Sequence, residues 1–121
     1  MSSTSEPSPK DEIRECGIAD ALDIVGDKWS LLVLREIGFG NTRFTDIHRN
    51  TGAPRERLTA RLQKLTQSGV ILRKKYSERP ARYEYVLSES GMALRPVLQA
   101  LRSWGETYGR DHGKASGTDV A

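Results

Sequence analysis

The side chains with the clearest potential for chemistry in this 121-residue chain are basic and lie close together. Residues 43–82 contain eleven Lys and Arg residues but only three acids, a formal charge of +8, although the whole chain carries only +3. The rest of the chain is therefore net acidic, at −5. A basic centre within an acidic frame is typical of polyanion binding, and a solvated charged face is the alternative.

A single thiol is the second candidate for chemistry. Cys16 is the only cysteine in the sequence, so no disulfide can form within the chain and a reducing compartment is favoured. It precedes the first predicted helix, whose N-terminus can stabilise a thiolate, although Glu15 and Asp20 nearby disfavour one. Two roles for Cys16 are therefore considered, a redox sensor and a small structural residue.

Catalytic and metal-binding functions find little support in the sequence. Two histidines and one cysteine cannot readily form a zinc site, and no nucleophile–base pair or carboxylate pair stands out. Asp20, Asp23 and Asp27 share a helical face, but hydration or capping explains them better than a metal ion. We predict that the chain is not an enzyme and needs no metal or cofactor.

Length and composition indicate one domain with two tails. The longest apolar run, residues 31–34, is far shorter than the roughly 20 residues that a membrane span needs. The first twelve residues are polar and lack the apolar segment of a secretory signal. We expect a cytoplasmic protein without a membrane partner, with a disordered tail at 1–12, a domain at 13–109 and a flexible tail at 110–121.

Hydrophobic periodicity predicts five helices and two strands. The helices are expected at 18–25, 28–37, 44–50, 54–68 and 88–108, and the second should be the most buried. Asp27 and Ser88 are the expected N-caps of the second and last helices. After Gly69 the period changes to two, which predicts strands at 70–76 and 82–87 joined by loop 77–81. This order predicts an α+β, mainly α fold, a winged helix-turn-helix whose wing is the two-stranded hairpin.

The fourth predicted helix, 54–68, has the composition of a recognition helix. Its apolar stripe at i, i+4 and i+7 fixes the face that packs on the core, and consists of Leu58, Leu62 and Leu65. The opposite face is predicted to contact base edges through Arg57, Thr59 and Gln63, since Arg prefers guanine and Gln prefers adenine. Glu56 lies on the same face, where it can contact cytosine or hold an arginine.

The remaining basic residues are predicted to contact phosphates or the minor groove. Arg79 and Arg82 flank a tight wing tip, from which one guanidinium can enter a minor groove. Lys74 and Lys75 lie along the wing, where they can follow the DNA backbone. The residues predicted to bind DNA are Arg43, Arg55, Glu56, Arg57, Thr59, Arg61, Gln63, Lys64, Lys75, Arg79 and Arg82.

Several segments together resemble the HxlR-type bacterial transcriptional regulators. They are CGIADALDIVGDKW at 16–29, GNTRF at 40–44, LTxRLxxL at 58–65, GV at 69–70, RYEY at 82–85 and LSxxG at 87–91. The match extends over about residues 16–104 in one register. The resemblance implies a homodimer that regulates adjacent genes, with flanking N- and C-terminal helices as the dimer interface: Ile18, Leu22, Leu98, Leu101, Trp104 and Tyr108. The apolar pattern alone also permits Trp104 and Tyr108 to be core residues.

The resemblance bears on regulation as well. In several HxlR-type regulators a cysteine at the position of Cys16 senses oxidants, quinones or aldehydes, which implies a thiol-reactive effector; a small aromatic effector between subunits is the other possibility. Pro54 stands where the family often has a serine that caps the recognition helix, so a serine–phosphate contact is not expected there.

Two functions from different classes follow from the sequence. The first is a sequence-specific regulator, a repressor in our reading, that binds double-stranded DNA as a homodimer. The second is a winged-helix module that binds proteins and no DNA. The second predicts apolar or acidic residues on the outward face of helix 54–68, and the cations found there count against it.

Overall fold

A computed structural model describes residues 16–109 of the chain. Its helices are α1 (Gly17–Val25), α2 (Lys28–Gly38), α3 (Phe44–Thr51), α4 (Arg55–Gln67), α5 (Glu89–Ala93) and α6 (Arg95–Trp104), and a π-helical turn, Gly105–Gly109, follows α6. The two strands are β1 (Ile71–Glu78) and β2 (Ala81–Leu87). The tails predicted at 1–12 and 110–121 lie outside the described residues.

Helix α2 forms the centre of the hydrophobic core. It contacts α3, α4, α6 and β2, and its apolar composition explains why so many elements pack around it. Asp27 caps its N-terminus, as predicted, by accepting the Ser30 backbone N–H at 2.8 Å. The buried apolar residues of the core are Val25, Val33, Leu34, Ile37, Ile47, Ala53, Leu58, Leu62, Leu65, Val70 and Ile71.

Helices α3 and α4 form the helix-turn-helix. Gly52 ends α3 with a φ of 72°, a left-handed conformation that glycine adopts without a Cβ penalty. Ala53 fills the turn as a buried residue, and Pro54 follows as the N-cap of α4. Pro54 therefore lies one residue outside the helix that the sequence predicts to start there, and it makes no side-chain capping bond.

Strands β1 and β2 pair antiparallel to form the wing, which is longer than predicted. Ser77 pairs with Arg82 and Glu78 with Ala81, so the connection is only Arg79 and the cis-linked Pro80 instead of loop 77–81. The Ser77 hydroxyl donates to the Pro80 carbonyl oxygen at 2.9 Å and closes this turn. Serine and proline are common in turns, which is why the sequence pattern ends β1 too early, at residue 76, and starts β2 one residue too late, at residue 82.

The C-terminal helix predicted at 88–108 is divided in the structure. Ser88 caps α5, as predicted, but α5 ends at Ala93 and α6 begins at Arg95. Pro96 lies in the first turn of α6 and lacks the N–H that would continue the α5 ladder, so the chain starts a new helix there. The π-helical turn then carries the chain to Gly109.

The predicted dimer residues divide into two groups. Leu98 is partly buried and packs against the protein's own core together with Leu94, so its part in a dimer interface stays a prediction. The other members are exposed large apolar residues on α1, α6 and the following turn: Ile18, Leu22, Leu101, Trp104 and Tyr108. None of the helices within residues 16–109 is long and apolar enough to cross a membrane. The mainly helical winged helix-turn-helix predicted from the sequence is confirmed.

Candidate nucleic-acid interface

The outward face of α4 has the residues that the helical wheel places there. Leu58, Leu62 and Leu65 are buried, whereas Glu56, Thr59 and Gln63 on the outward face and Arg57 at its flank are exposed. Three buried leucines at this spacing leave the helix only one rotational setting against the core. The polar face therefore points away from the protein over most of the helix.

Two further cations lie at the edges of α4. The Arg55 guanidinium lies over the Phe44 ring, 4.9 Å from its centroid, which links the first turn of α4 to the first turn of α3. Lys64 is half-buried on the other side of the helix. Arg55 and Lys64 are both among the residues that the sequence predicts to bind DNA.

Arg61 has a different environment from the one predicted for a phosphate contact. Its Nη1 lies 3.3 Å from Asp27 Oδ2 at the junction of α1 and α2, and its Nε is buried with no hydrogen-bond acceptor among the described residues. Arg61 therefore lies against the α1–α2 junction of its own chain and not on the outward face of α4. Its position next to Leu58 and Leu62 on the helical wheel explains this direction.

Cations also cover the wing and its tip. Arg79 and Arg82 are exposed at the turn, as predicted, while Lys75 Nζ lies 3.4 Å from Glu78 Oε1 and 6.0 Å from the Tyr83 ring centroid. Arg73, which the sequence reasoning did not assign a role, stacks on the Tyr83 ring at 3.7 Å. A pair of residues such as Arg73 and Tyr83 meets only through the strand register, so spacing along one strand does not reveal it.

Arg43 connects the helix-turn-helix to the wing. It is the N-cap residue of α3, and its guanidinium lies 4.1 Å from the centroid of the Tyr76 ring on β1. Tyr76 is the extra residue of a β-bulge between Lys75 and Ser77. A bulge redirects a side chain from the regular alternation, and here the Tyr76 ring reaches the start of α3.

Thr42 fixes the wing relative to the helices. Its carbonyl oxygen accepts the Tyr85 backbone N–H at 2.8 Å, and its hydroxyl donates to Glu84 Oε1 at 3.0 Å. Both bonds join the loop between α2 and α3 to β2. The cations of α3, α4 and the wing are therefore presented by one connected framework.

Comparison with known proteins agrees with this geometry. The model of the HxlR-like helix-turn-helix family matches residues 24–113. The chain belongs to the HxlR-like helix-turn-helix family. The resemblance found in the sequence motifs is thereby confirmed.

Relatives of this HxlR-like chain include the HTH-type transcriptional regulator Rv3095 of Mycobacterium tuberculosis, 43% identical over 91 residues. That alignment covers 75% of the chain but 58% of Rv3095, so the chain spans less than two thirds of this relative. An HTH-type transcriptional regulator of Methanothermobacter thermautotrophicus is 41% identical over 103 residues, or 84% of the chain and 78% of the relative. The structure of the redox regulator HypR in its reduced form has a TM-score of 0.72 at 28% identity, over 83% of the chain and 99% of HypR.

The thiol of this HxlR-like protein lies where the sequence predicts, at the N-terminus of α1. Cys16 is exposed and is the N-cap, and its Sγ accepts the Ala19 backbone N–H at 3.5 Å. The helix N-terminus thus directs a donor at the sulfur. Within residues 16–109, no group of three His, Cys, Asp or Glu side chains is arranged to hold a metal ion.

A buried carboxylate positions the helix-turn-helix, and the sequence reasoning missed it. Glu36 is only 4% exposed, and its Oε1 accepts from Asn41 Nδ2 at 2.8 Å and from Asn50 Nδ2 at 3.0 Å. Its Oε2 accepts from Arg35 Nε at 2.7 Å, and Arg35 Nη2 donates to the Asn50 carbonyl oxygen at 3.1 Å. These bonds tie α2 to the loop that precedes α3 and to the last turn of α3. The available signal was an acid on the core-facing side of an otherwise apolar helix.

Asp27 joins the recognition helix to the start of α2. Burial raises the pKa of its carboxyl group, but the hydrogen bonds from the Ser30 N–H and hydroxyl and the nearby Arg61 guanidinium outweigh that effect. The net result is a pKa below the ordinary value of 3.8. The folded protein therefore favours the carboxylate more than the unfolded chain does.

We expect the Asp27–Arg61 pair to make the free energy of unfolding depend on pH in the acidic range. A lowered carboxyl pKa contributes stability that is fully present above pH 3.8 and is lost as the pH falls through the lower folded-state value. Asp27→Asn keeps a capping side chain but removes the charge. At pH 7 the free energy of unfolding of the parent should therefore exceed that of the variant, by about 1 kcal/mol at most because the carboxylate is partly exposed. Chemical denaturation of both proteins between pH 7 and pH 2.5 measures the difference. A difference that grows as the pH falls contradicts the prediction.

Proposed function

We propose that this chain is a sequence-specific regulator of transcription that binds double-stranded DNA through α4 and the wing. The carrying observation is the exposed polar face of α4, with Gln63 on the side away from the buried leucines and Arg57 at its flank. In this geometry a recognition helix lies in the major groove and its exposed polar side chains contact base edges. The proposal gives the chain no catalytic role and places its action in the cytoplasm.

The tasks of the individual side chains follow from their chemistry. Arg57 is suited to guanine O6 and N7, and Gln63 to adenine N6 and N7. Thr59 lies between them, and Glu56 is suited to the amino group of cytosine. The side chains assigned to phosphates are Arg43, Arg55, Lys64, Lys75 and Arg82, and Arg79 at the wing tip is assigned to the minor groove.

Several of these cations have no carboxylate partner within the described residues, which supports this assignment. In the part of the chain that the structure describes, Arg55, Arg57, Arg79 and Arg82 form no ion pair with a carboxylate. Cations without a carboxylate partner remain available to neutralise phosphates, and the affinity they supply falls steeply with salt. Arg61 has a partner in Asp27 and is left out of the proposed DNA contacts.

We infer a homodimer, and repression as its mode of action. Ile18 and Leu22 on α1 and Leu101 and Trp104 on α6 leave large apolar surfaces exposed on one chain. Exposed apolar surfaces of this kind are typical of subunit contacts, and a two-fold dimer requires a two-fold operator. Its half-sites should lie roughly 10 base pairs apart or a multiple of that distance.

The first experiment is a titration of the purified protein with DNA from upstream of its own gene. Excess unrelated DNA and two salt concentrations separate specific from non-specific binding, and a footprint gives the spacing of the half-sites. Binding that survives the competitor with two protected half-sites supports the proposal. Loss of all binding under competitor at both salt concentrations favours the protein-interaction module, and a single unpaired footprint contradicts the dimer.

Cys16 is proposed as a point of redox control. Its exposed Sγ at the N-terminus of α1 lies on the helix that we assign to the dimer interface, and the similar protein HypR is a redox regulator. With one cysteine per chain, oxidation by a two-electron oxidant joins two Cys16 thiols of a dimer, or one thiol and a small thiol, with loss of two protons and two electrons.

We expect the oxidant diamide to change the apparent affinity for operator DNA at least about fivefold, which corresponds to a coupling of about 1 kcal/mol. Cys16→Ser removes the thiol and retains a side chain that can cap α1, so its affinity should not respond. The measurement is the same titration with and without diamide, followed by addition of a reductant. An equal response of parent and variant excludes Cys16, and no response of either excludes redox control.

A further inference from the structure

A groove of about 490 Å³ lies between the start of α3 and the inner face of the wing. This volume falls within the range of small-molecule sites in proteins. Arginines supply part of its lining and aromatic rings another part; these residues are Arg43, Arg73, Arg82, Phe44, Tyr76 and Tyr83. Neither the proposed base contacts nor the proposed dimer interface uses the interior of this groove.

The charge of the groove is strongly positive. Asp46 is the one carboxylate among the lining residues, and it is already ion-paired with Arg49. Within residues 16–109, none of the three lining arginines has a carboxylate partner. A concave site with several unneutralised guanidinium groups attracts an anion, and planar guanidinium groups bind carboxylates in a bidentate manner.

The arginines of the groove are held by aromatic rings. Arg43 lies 4.1 Å from the Tyr76 centroid and Arg73 lies 3.7 Å from the Tyr83 centroid. Stacking restricts long side chains before a ligand arrives, which lowers the entropic cost of binding. Each guanidinium group has one face against a tyrosine ring. Its other face, together with the edges of the tyrosine rings, is suited to a flat, unsaturated ligand.

Part of the groove wall is fixed. Thr42 accepts the Tyr85 N–H at 2.8 Å and donates to Glu84 at 3.0 Å, so this part of the wing cannot move independently of the loop that leads into α3. Phe44 lines the groove and carries Arg55 of α4 over its ring at 4.9 Å. A ligand in the groove is thus separated from the recognition helix by a single side chain.

We propose that this groove binds a small planar aromatic carboxylate, which pairs with Arg43 and Arg73 and packs against the tyrosine rings. The inference rests on the proposed function in one respect, namely that the bound ligand weakens DNA binding. It neutralises Arg43 and lies next to Arg82, both assigned to phosphates. Ligand and DNA therefore oppose each other, and each lowers the affinity of the other by the same factor.

The direct test measures binding of three probes to the full chain in the absence of DNA. Benzoate is the planar acid, cyclohexanecarboxylate is an acid with a non-aromatic ring, and benzamide is planar without a charge. Calorimetric or ligand-observed NMR titration should give saturable binding of benzoate and about tenfold weaker binding of each of the others. Equal binding of benzoate and cyclohexanecarboxylate, displacement of benzoate by equimolar inorganic phosphate, or no saturation with benzoate would each overturn the proposal.

A pair of neighbouring substitutions locates the site. Arg73→Gln removes a guanidinium from the groove and should weaken benzoate binding about tenfold or more. Lys74→Gln makes the same change of charge on the next residue, which does not line the groove, and should change it less than twofold. Equal effects of the two substitutions in folded proteins would show a general charge effect and overturn the assignment.

A competition with operator DNA separates the two proposals. At the benzoate concentration that saturates the parent, DNA binding should weaken at least fivefold in the parent and less than twofold in Arg73→Gln. Benzoate binding without any DNA binding would retain the site and refute the regulator. DNA binding that is insensitive to saturating benzoate would retain the regulator and refute the competition.

Discussion

Alanine at Arg57 or Gln63 lowers the discrimination between the operator and its single-base variants by about 1–3 kcal/mol, roughly five- to 150-fold. Both side chains are exposed on α4, whose Leu58 and Leu62 are buried; Gln63 lies on the outward face and Arg57 at its flank. Each can form a bidentate contact with one base, and its loss removes the difference between that base and the others. Equilibrium titrations against the operator and a set of single-base variants measure this change directly.

Matched variants separate this effect from a general loss of binding. Gln67→Ala removes an exposed glutamine one turn after Gln63. Gln67 is the last residue of α4 and lies beyond the residues assigned to base contacts. Arg95→Ala removes an exposed arginine on α6. Neither should change the base preference. If Arg57→Ala instead weakens all DNA sequences equally, Arg57 contacts phosphate and the orientation of α4 in the groove is wrong.

Glu36→Ala should destabilise the folded protein by about 2–4 kcal/mol. The substitution removes the acceptor of the Asn41 and Asn50 side-chain amides and of Arg35 Nε, and it leaves these donors at a partly buried junction. Buried donors without acceptors cost more than the net gain of an ordinary hydrogen bond. Chemical denaturation monitored by circular dichroism gives the free energy of unfolding of parent and variant.

Two further variants show whether the network itself is responsible. Glu106→Ala removes a carboxylate from an exposed pair with Arg102 and should cost less than about 0.5 kcal/mol. Glu36→Gln keeps an acceptor oxygen but removes the charge, so its loss should lie between the two. A cost of Glu36→Ala close to that of Glu106→Ala would mean that water replaces the lost bonds and that α3 is held by apolar packing alone.

The framework of the fold is predictable because periodicity reports burial. The leucine stripe of α4 identifies the core-facing side, and the change to a two-residue period after Gly69 identifies the wing. The division of the last helix was missed although Pro96 is visible in the sequence, because the apolar stripe continues through it. A stripe also does not distinguish a core contact from a subunit contact, and Leu98, which is predicted at the dimer interface, packs in part against the core of its own chain.

The candidate site is less accessible from sequence, because its contacts join distant segments. Asp27 and Arg61 are 34 positions apart, and their pairing depends on how α4 packs against the α1–α2 junction. Arg43 meets Tyr76 only because the bulge in β1 redirects the ring. Charge counting identifies where cations are abundant, whereas the bulge, the strand register and helix packing decide which of them have internal partners.

The attachment of Thr42 to β2 gives the wing two parts with different mechanical freedom. The hairpin is hydrogen-bonded to the loop before α3 at Glu84 and Tyr85. The turn at Arg79 lies at the far end of the hairpin, beyond the bulge. We expect bending near the tip, so that in the proposed DNA complex the tip can follow minor grooves of different width while α4 keeps its position. Insertions at the turn should then alter the reach of the wing over DNA without disturbing the fold, so that wing length and base preference can evolve separately.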